Sequence, residues 1–175
     1  VDEDTAPAPV TIYHRSKLAA EDLLVDGAMQ GGPAVRIIRM SRCFPEPAPV
    51  MAAYRLHRGI DARDVAAAHV AALDHAGTDA TRWVVSGDTP FLPEDCDELA
   101  RDAPAVLARR APALVAALAA RDWALPARID RVYVNQRARA ELGWAPRHGW
   151  DEVLRQYDAG SSEVLPPASI TAGDD

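Results

Sequence analysis

Tyr13 and Lys17 are the two residues of this sequence whose types and spacing could do chemistry together. They lie within the segment TIYHRSKLAAEDLL, where apolar residues recur at helical spacing and predict a helix over residues 12–29. Residues four positions apart on a helix share one face, about one turn from each other. Lys17 is also the one lysine among the 19 lysine and arginine residues of the chain.

A tyrosine beside a lysine is suited to proton transfer. A free phenol titrates at about 10 and is a poor acid or base at neutral pH. A nearby ammonium favours the phenolate, so the phenol can more easily exchange a proton with a substrate hydroxyl or carbonyl. The three donors of the ammonium can also hold ribose hydroxyls, a task that the planar guanidinium of arginine does not perform in the same way. On spacing alone, an ordinary pair on a helix surface is the better explanation of the pattern.

The composition of the chain excludes several classes of function. Its 175 residues carry a formal net charge of −7 and are 49% hydrophobic, as expected for a globular domain with a core. The acidic balance argues against a nucleic-acid partner. No run of about 18 apolar residues predicts a membrane span, and the acidic start VDEDTAPAP is unlike a signal peptide. We therefore expect a cytoplasmic protein.

The cysteines and histidines do not predict a metal centre. Cys43 and Cys96 are far apart and lack a zinc-binding spacing, so two reduced thiols are expected. Histidines and aspartates cluster between residues 57 and 75, but their spacing spreads them around a predicted helix. The hypothesis is that the chain holds no metal.

The remaining segments alternate between predicted strands and helices. Strands are predicted at residues 34–40, 54–60 and 82–87, with a short extended piece before Asn135. Helices are predicted at residues 61–77 with Asp61 as N-cap, at 93–123 with breaks near Pro104 and Pro112, after Asn135 as N-cap, and at 149–160. Residues 41–50 are expected to be a loop, and residues 160–175 a disordered tail. This alternation favours a parallel α/β fold, with strands enough for about one half of a doubly wound sheet.

Four segments, in order, resemble the extended short-chain dehydrogenase/reductases, the NAD(P)-dependent epimerase/dehydratase family. The first is Tyr13-x-x-x-Lys17 after an acidic, proline-containing loop, with Ser16 and Glu21 matching and His14 standing where glycine is common. The others are AVRIIRMSRCFPEP, RGIDARDVAAAHVAAL and VNQRARAELGWAPRHGWDEVLRQ. The resemblance implies the C-terminal half of a Rossmann-type parallel sheet, with a small and mostly helical substrate-side subdomain, over residues 1–159.

The same resemblance implies an oxidoreductase or isomerase that uses NAD or NADP. Tyr13 would be the acid/base, and Lys17 would support it and hold the nicotinamide ribose. Cofactor contacts are expected from Tyr13, Lys17, Arg39, Cys43 and Phe44, and substrate contacts from Arg58 or Arg63. The substrate would be a sugar nucleotide or a related small molecule that reacts at a carbinol or keto carbon.

The glycine-rich phosphate cradle of that family is not found in this sequence. We therefore expect an upstream segment or a second chain to complete the fold, as a homodimer if complete, and the isolated chain to be inactive. The alternative is a non-catalytic remnant or interaction module that binds no cofactor by itself.

Overall fold

The computed structural model describes residues 1–77 and 79–167. Within them the chain forms eight α-helices, one 3₁₀ turn and a two-stranded parallel sheet. The elements in order are α1 (Ile12–Met29), β1 (Arg36–Met40), α2 (Ala48–Tyr54), α3 (Ala62–Asp74), β2 (Thr81–Val85), the 3₁₀ turn (Pro93–Asp95), α4 (Cys96–Leu99), α5 (Ala103–Arg110), α6 (Pro112–Ala119), α7 (Gln136–Leu142) and α8 (Trp150–Asp158). None of these helices is both long and apolar enough to cross a bilayer.

The sheet and the helices that cover it form one core. β1 and β2 pair in parallel from Arg36 opposite Thr81 to Met40 opposite Val85. Parallel strands need a crossover connection, and α2 and α3 supply it. Trp83 on β2 is fully buried, and the core there is shared with residues of α3 and α7. The strands predicted at residues 34–40 and 82–87 are confirmed.

A second core joins helices without any strand. α2, α5, α6 and α8 contribute buried residues to it, among them Leu107, Leu114 and Leu118, which are fully buried. α5 and α6 each carry a proline in the first turn, Pro104 and Pro112. A proline there costs no helical hydrogen bond, because the first-turn amides have no partner within the helix. This is the mostly helical subdomain that the sequence predicts beside the sheet.

Three local predictions are wrong. Residues 54–60 form no strand, because α2 runs to Tyr54 and the chain then turns so tightly that a Cβ at Gly59 would lie 2.9 Å from the Tyr54 carbonyl carbon. α2 also occupies part of the loop expected at residues 41–50. The extended piece predicted before α7 is not one of the three, because its backbone is extended and bonds to Val1 and His57. Asn135 precedes α7, but its side-chain amide donates to the carbonyl of Ser86, 2.8 Å away, and does not cap the helix.

Residues 160–167, which the sequence assigns to a disordered tail, contact the rest of the chain in the structure. Val164 is buried in the helical core, and the Leu165 amide donates to the Glu46 carbonyl at 3.0 Å. An apolar side chain that reaches a core fixes the segment that carries it. The rest of the predicted tail, residues 168–175, lies outside the described residues.

α1 differs from the other long helices in how it is attached. It buries none of its 18 residues. Glu21 instead bridges the sheet, with a carboxylate oxygen 2.7 Å from Arg39 Nη2 on β1 and 3.2 Å from Arg82 Nε on β2. Partial burial would raise the pKa of Glu21, but the hydrogen bonds and charges of the two arginines outweigh it and hold the pKa below its usual range. Ion pairs, more than apolar packing, therefore hold α1 to the sheet.

Replacement of Glu21 by Gln should loosen α1 without unfolding the protein. An isolated helix of this length is marginal in water, so loss of the bridge should raise amide exchange in α1 by about tenfold. Asp22→Asn makes the same charge change at an exposed neighbour and is the matched control. Amide hydrogen exchange in α1 is measured by mass spectrometry for Glu21→Gln and Asp22→Asn. Equal exchange rates in the two variants would show that the Glu21 bridge does not hold the helix.

His57 lies in the turn after α2 and is 4% exposed. One ring nitrogen lies 3.1 Å from the Arg131 carbonyl, and the ring meets that of Tyr54 edge to face. Burial lowers the pKa of His57 to about 4, because the charged imidazolium would lose its hydration. The folded protein therefore keeps this histidine neutral at pH values where the unfolded chain protonates it.

Acid should destabilise the protein through His57 before the carboxylates titrate. Its pKa is lower in the folded than in the unfolded state, so its contribution is complete above about pH 6.5 and falls away toward pH 4, by about 3 kcal/mol in total. Urea unfolding at a series of pH values should show this slope in the wild type and lose it in His57→Gln. The free energies of unfolding of the two proteins are also compared at pH 8. His57 is neutral in both states there, so the difference reports the packing lost in the variant. An unchanged slope in the variant would rule out His57 as its source.

Candidate active site

The start of α1 presents Tyr13 and Lys17 on one side of the helix. Thr11 caps the helix, with its hydroxyl accepting from the His14 amide at 3.3 Å. From that fixed start, Lys17 Nζ lies 5.5 Å from the centre of the Tyr13 ring. Tyr13 is 63% exposed, and Lys17 is exposed as well. The structure therefore brings the predicted pair together at an accessible position.

The pair stands at a cavity of about 540 Å³ at the carboxyl end of β1. Open α/β sheets bind ligands at this end of their strands. The walls come from the N-terminal segment, the start of α1, the end of β1, β2 and the extended piece before α7. The lining side chains with polar groups are Asp2, Thr5, Tyr13, His14, Lys17, Arg39, Ser41, Asp130, Arg131 and Tyr133.

Arg39 lines this cavity, but its guanidinium is already engaged. Its Nε and Nη2 donate to Glu21, and this contact raises the pKa of Arg39. Its observed partner makes it a positioning residue that fixes α1, and with it Tyr13 and Lys17, over the end of β1. The predicted cofactor contact of Arg39 stays a prediction.

Ser41 lines the cavity and is not among the residues that the sequence predicted there. It follows β1 directly, is 7% exposed, and its hydroxyl has no hydrogen-bond partner within the described residues. A buried hydroxyl without a partner costs free energy unless a ligand or water satisfies it. Its position just past a predicted parallel strand was the signal that could have found it.

Cys43 and Phe44 do not line the Tyr13 cavity. After Ser41 the chain turns away, because the Arg42 amide donates to the Arg58 carbonyl and the Ile60 amide to the Arg42 carbonyl. Cys43 packs against the sheet core. Phe44 is 62% exposed, with the Arg42 guanidinium 6.0 Å from its ring centre. The geometry gives neither residue a place beside Tyr13.

Arg58 reaches the edge of the cavity through Asp130. Its Nη1 lies 3.2 Å from Asp130 Oδ1, and its Nη2 donates to the Tyr54 hydroxyl at 2.6 Å. Asp130 lines the cavity and Arg58 does not, so Arg58 contacts the wall of the cavity through its ion pair with Asp130.

Arg63 lies elsewhere. It binds Asp61 at 2.8 Å and Glu152 at 2.6 Å, and so joins α3 to α8. Hydrogen bonds from Arg155 and then Arg63 lower the pKa of Glu152 to about 2. The substrate contact predicted for Arg63 has no support in this arrangement. Within the part of the chain that is described, no three His, Cys, Asp or Glu side chains converge as a metal site requires.

Comparison with solved structures identifies the fold. The chain is similar to UDP-glucose-4-epimerase from Stenotrophomonas maltophila with bound NAD and formylated UDP-arabinopyranose, at 19% identity and a TM-score of 0.56, covering 87% of this chain and 55% of that one. It is similar to RMD from Pseudomonas aeruginosa complexed with NADPH, at 20% identity and a TM-score of 0.53, covering 87% of this chain and 57% of that one. No family model matches, and a search of curated proteins finds no match.

The chain thus spans little more than half the length of these two enzymes. At such identities the likeness concerns the fold. It confirms the predicted fold class: an α/β arrangement that corresponds to the C-terminal part of these two longer chains.

Proposed function

We propose that this chain is the catalytic and substrate-side half of an NAD(P)-dependent oxidoreductase of the epimerase/dehydratase type. The observation that carries the proposal is the pairing of Tyr13 with Lys17 at the mouth of a cavity at the carboxyl end of β1. A fold shared with enzymes solved with NAD and NADPH supports it. The substrate is a sugar nucleotide or a related small molecule with a secondary carbinol or keto group.

Each residue of the pair has a separate role in this proposal. Tyr13 exchanges a proton with the substrate oxygen, and the Lys17 ammonium stabilises the phenolate that remains. Lys17 also donates to the ribose hydroxyls next to the nicotinamide. The cofactor, when bound, exchanges a hydride with the substrate carbon. Ser41 offers its unpartnered hydroxyl to whichever ligand group fills the cavity.

The residues present fit one end of the dinucleotide. Lys17, Tyr13 and Ser41 supply donors for a ribose or a substrate hydroxyl, and the cavity has the volume of a small-molecule site. The described residues include no glycine-rich turn that leads from a strand into a helix, which is the usual pyrophosphate cradle. We infer that an upstream segment or a second chain binds the pyrophosphate of the cofactor.

Two surfaces support a completing partner. In the described residues β1 pairs only with β2, so its other edge has free backbone donors and acceptors. α1 exposes Ile12, Leu23 and Met29 by 78%, 73% and 81%. An open strand edge and exposed apolar residues on a helix are each suited to contact with a further strand or helix, from the same polypeptide or from another copy.

The second candidate is a non-catalytic interaction module. The same open edge and exposed helix favour it, because both suit protein contact without any chemistry. Cofactor binding separates the two candidates.

Cofactor titration and two substitutions test the proposed function. Binding of NADH and NADPH is followed by nicotinamide fluorescence with this chain alone, with the protein encoded in frame with its upstream sequence, and with added upstream fragment. The completed protein should bind a dinucleotide. Lys17→Arg should weaken that binding by about tenfold, since the broad guanidinium cannot reproduce the compact ammonium contacts.

Tyr13→Phe should bind the cofactor as tightly as the wild type and lose turnover on a panel of UDP- and GDP-sugars. Arg15→Ala, an exposed change on the same helix outside the cavity, is the control and should change neither property. If no preparation binds a dinucleotide, the proposed oxidoreductase function is wrong and the non-catalytic interaction module is favoured. Full turnover in Tyr13→Phe would remove that residue from catalysis.

A further inference from the structure

His14 is a third polar residue on the side of α1 that carries Tyr13 and Lys17. It lies in the first turn of the helix and lines the same cavity as that pair. It precedes Lys17 by three residues, a spacing that places two side chains on one face of a helix. Its ring meets the Tyr13 ring edge to face, with the ring centres 6.0 Å apart. Neither the spacing of Tyr13 and Lys17 nor the proposed function gives this histidine a task.

A hydrogen bond fixes which nitrogen of the His14 ring carries the proton. The Val10 backbone amide lies 3.3 Å from His14 Nδ1. An amide nitrogen can only donate, so Nδ1 must accept and carries no hydrogen. A neutral imidazole has one N–H, which is therefore on Nε2. This local geometry makes His14 a neutral donor through Nε2.

The start of α1 holds this donor in place before any ligand arrives. The His14 backbone amide donates to the Thr11 hydroxyl that caps the helix, 3.3 Å away. The ring is held as well, because its Nδ1 accepts from the amide of Val10. A side chain that is already ordered loses little conformational entropy when it binds a ligand. His14 is therefore better prepared to bind than a histidine without such contacts.

Other polar groups of the cavity wall already have partners within the protein. Arg39 donates to Glu21, the Thr5 hydroxyl to Asp2, and Arg131 to Asp130. His14 is exposed, and its Nε2 has no hydrogen-bond partner in the described residues. Because Nδ1 is directed at Val10, the N–H on the far edge of the ring is left for a ligand in the cavity.

We propose that His14 is a further substrate-binding residue of this site, whose Nε2–H donates to an oxygen atom of the substrate that exchanges a proton with Tyr13. The inference rests on the proposed function and adds a requirement on the substrate. The substrate must carry an acceptor oxygen near its reacting carbinol or keto group, as a sugar ring does. A neutral donor suits this position, because a second cation beside Lys17 would repel the ammonium.

Two amide substitutions separate the two nitrogens of His14. Glutamine carries its amide near the position of Nε2, whereas asparagine reaches only the position of Nδ1. The variants are made in the protein encoded in frame with its upstream sequence. For the UDP- or GDP-sugar that this protein turns over, His14→Asn should lower kcat/KM by about tenfold, the usual effect of one lost hydrogen bond. His14→Gln should stay within about threefold of the wild type.

Both variants should bind NADH or NADPH as tightly as the wild type, because the lost contact is to the substrate. His69→Asn is the matched control. His69 is an exposed histidine on α3 with a ring nitrogen 2.8 Å from the Val65 carbonyl, and it does not line the cavity. All three variants should keep the urea midpoint of unfolding, and His69→Asn should also keep full turnover.

The opposite order, with His14→Gln impaired and His14→Asn active, would mean that His14 serves only its bond to Val10 and would overturn the proposal. Equal activity in the two variants would overturn it as well. Tyr13→Phe is measured alongside: loss of turnover there, with full turnover in His14→Asn, removes His14 alone from the site. Turnover retained in Tyr13→Phe, or absent from the wild type, would overturn the proposed function and this inference with it.

Discussion

The buried carboxylate of Asp64 on α3 fixes the segment between α7 and α8 against that helix. It is 2% exposed and accepts from the His148 amide at 3.0 Å and from His148 Nδ1 at 2.8 Å, while the Asp64 carbonyl accepts from Trp144 Nε1. A buried carboxylate is tolerated only when it is fully hydrogen-bonded, so this geometry is strongly fixed. α7 and the start of α8 are thereby held against α3. The Asp64 carboxylate is thus a structural tie between segments that are distant in the sequence.

The two halves of the candidate enzyme surface are attached by different forces. The helical subdomain is held by apolar burial, with Leu107, Leu114 and Leu118 fully enclosed. α1 carries Tyr13 and Lys17, and in the described residues the ionic bridge of Glu21 and the contacts of its flanking segment attach it. Segments with little apolar burial open most easily, so α1 belongs to the less stable part of the molecule. A partner that covers α1 would supply the burial that this helix lacks.

The sequence predicts the features that depend on neighbours along the chain. The strands at residues 34–40 and 82–87, the Asp61 cap and the four-residue spacing of Tyr13 and Lys17 are all local patterns, and they are confirmed as geometry. What fails at Asn135 depends on a distant partner, because its side-chain amide donates to the carbonyl of Ser86, which is 49 residues away. The strand expected at residues 54–60 fails for a local reason, because the chain turns tightly after α2 and Gly59 lies against Tyr54. Periodicity records neither contact.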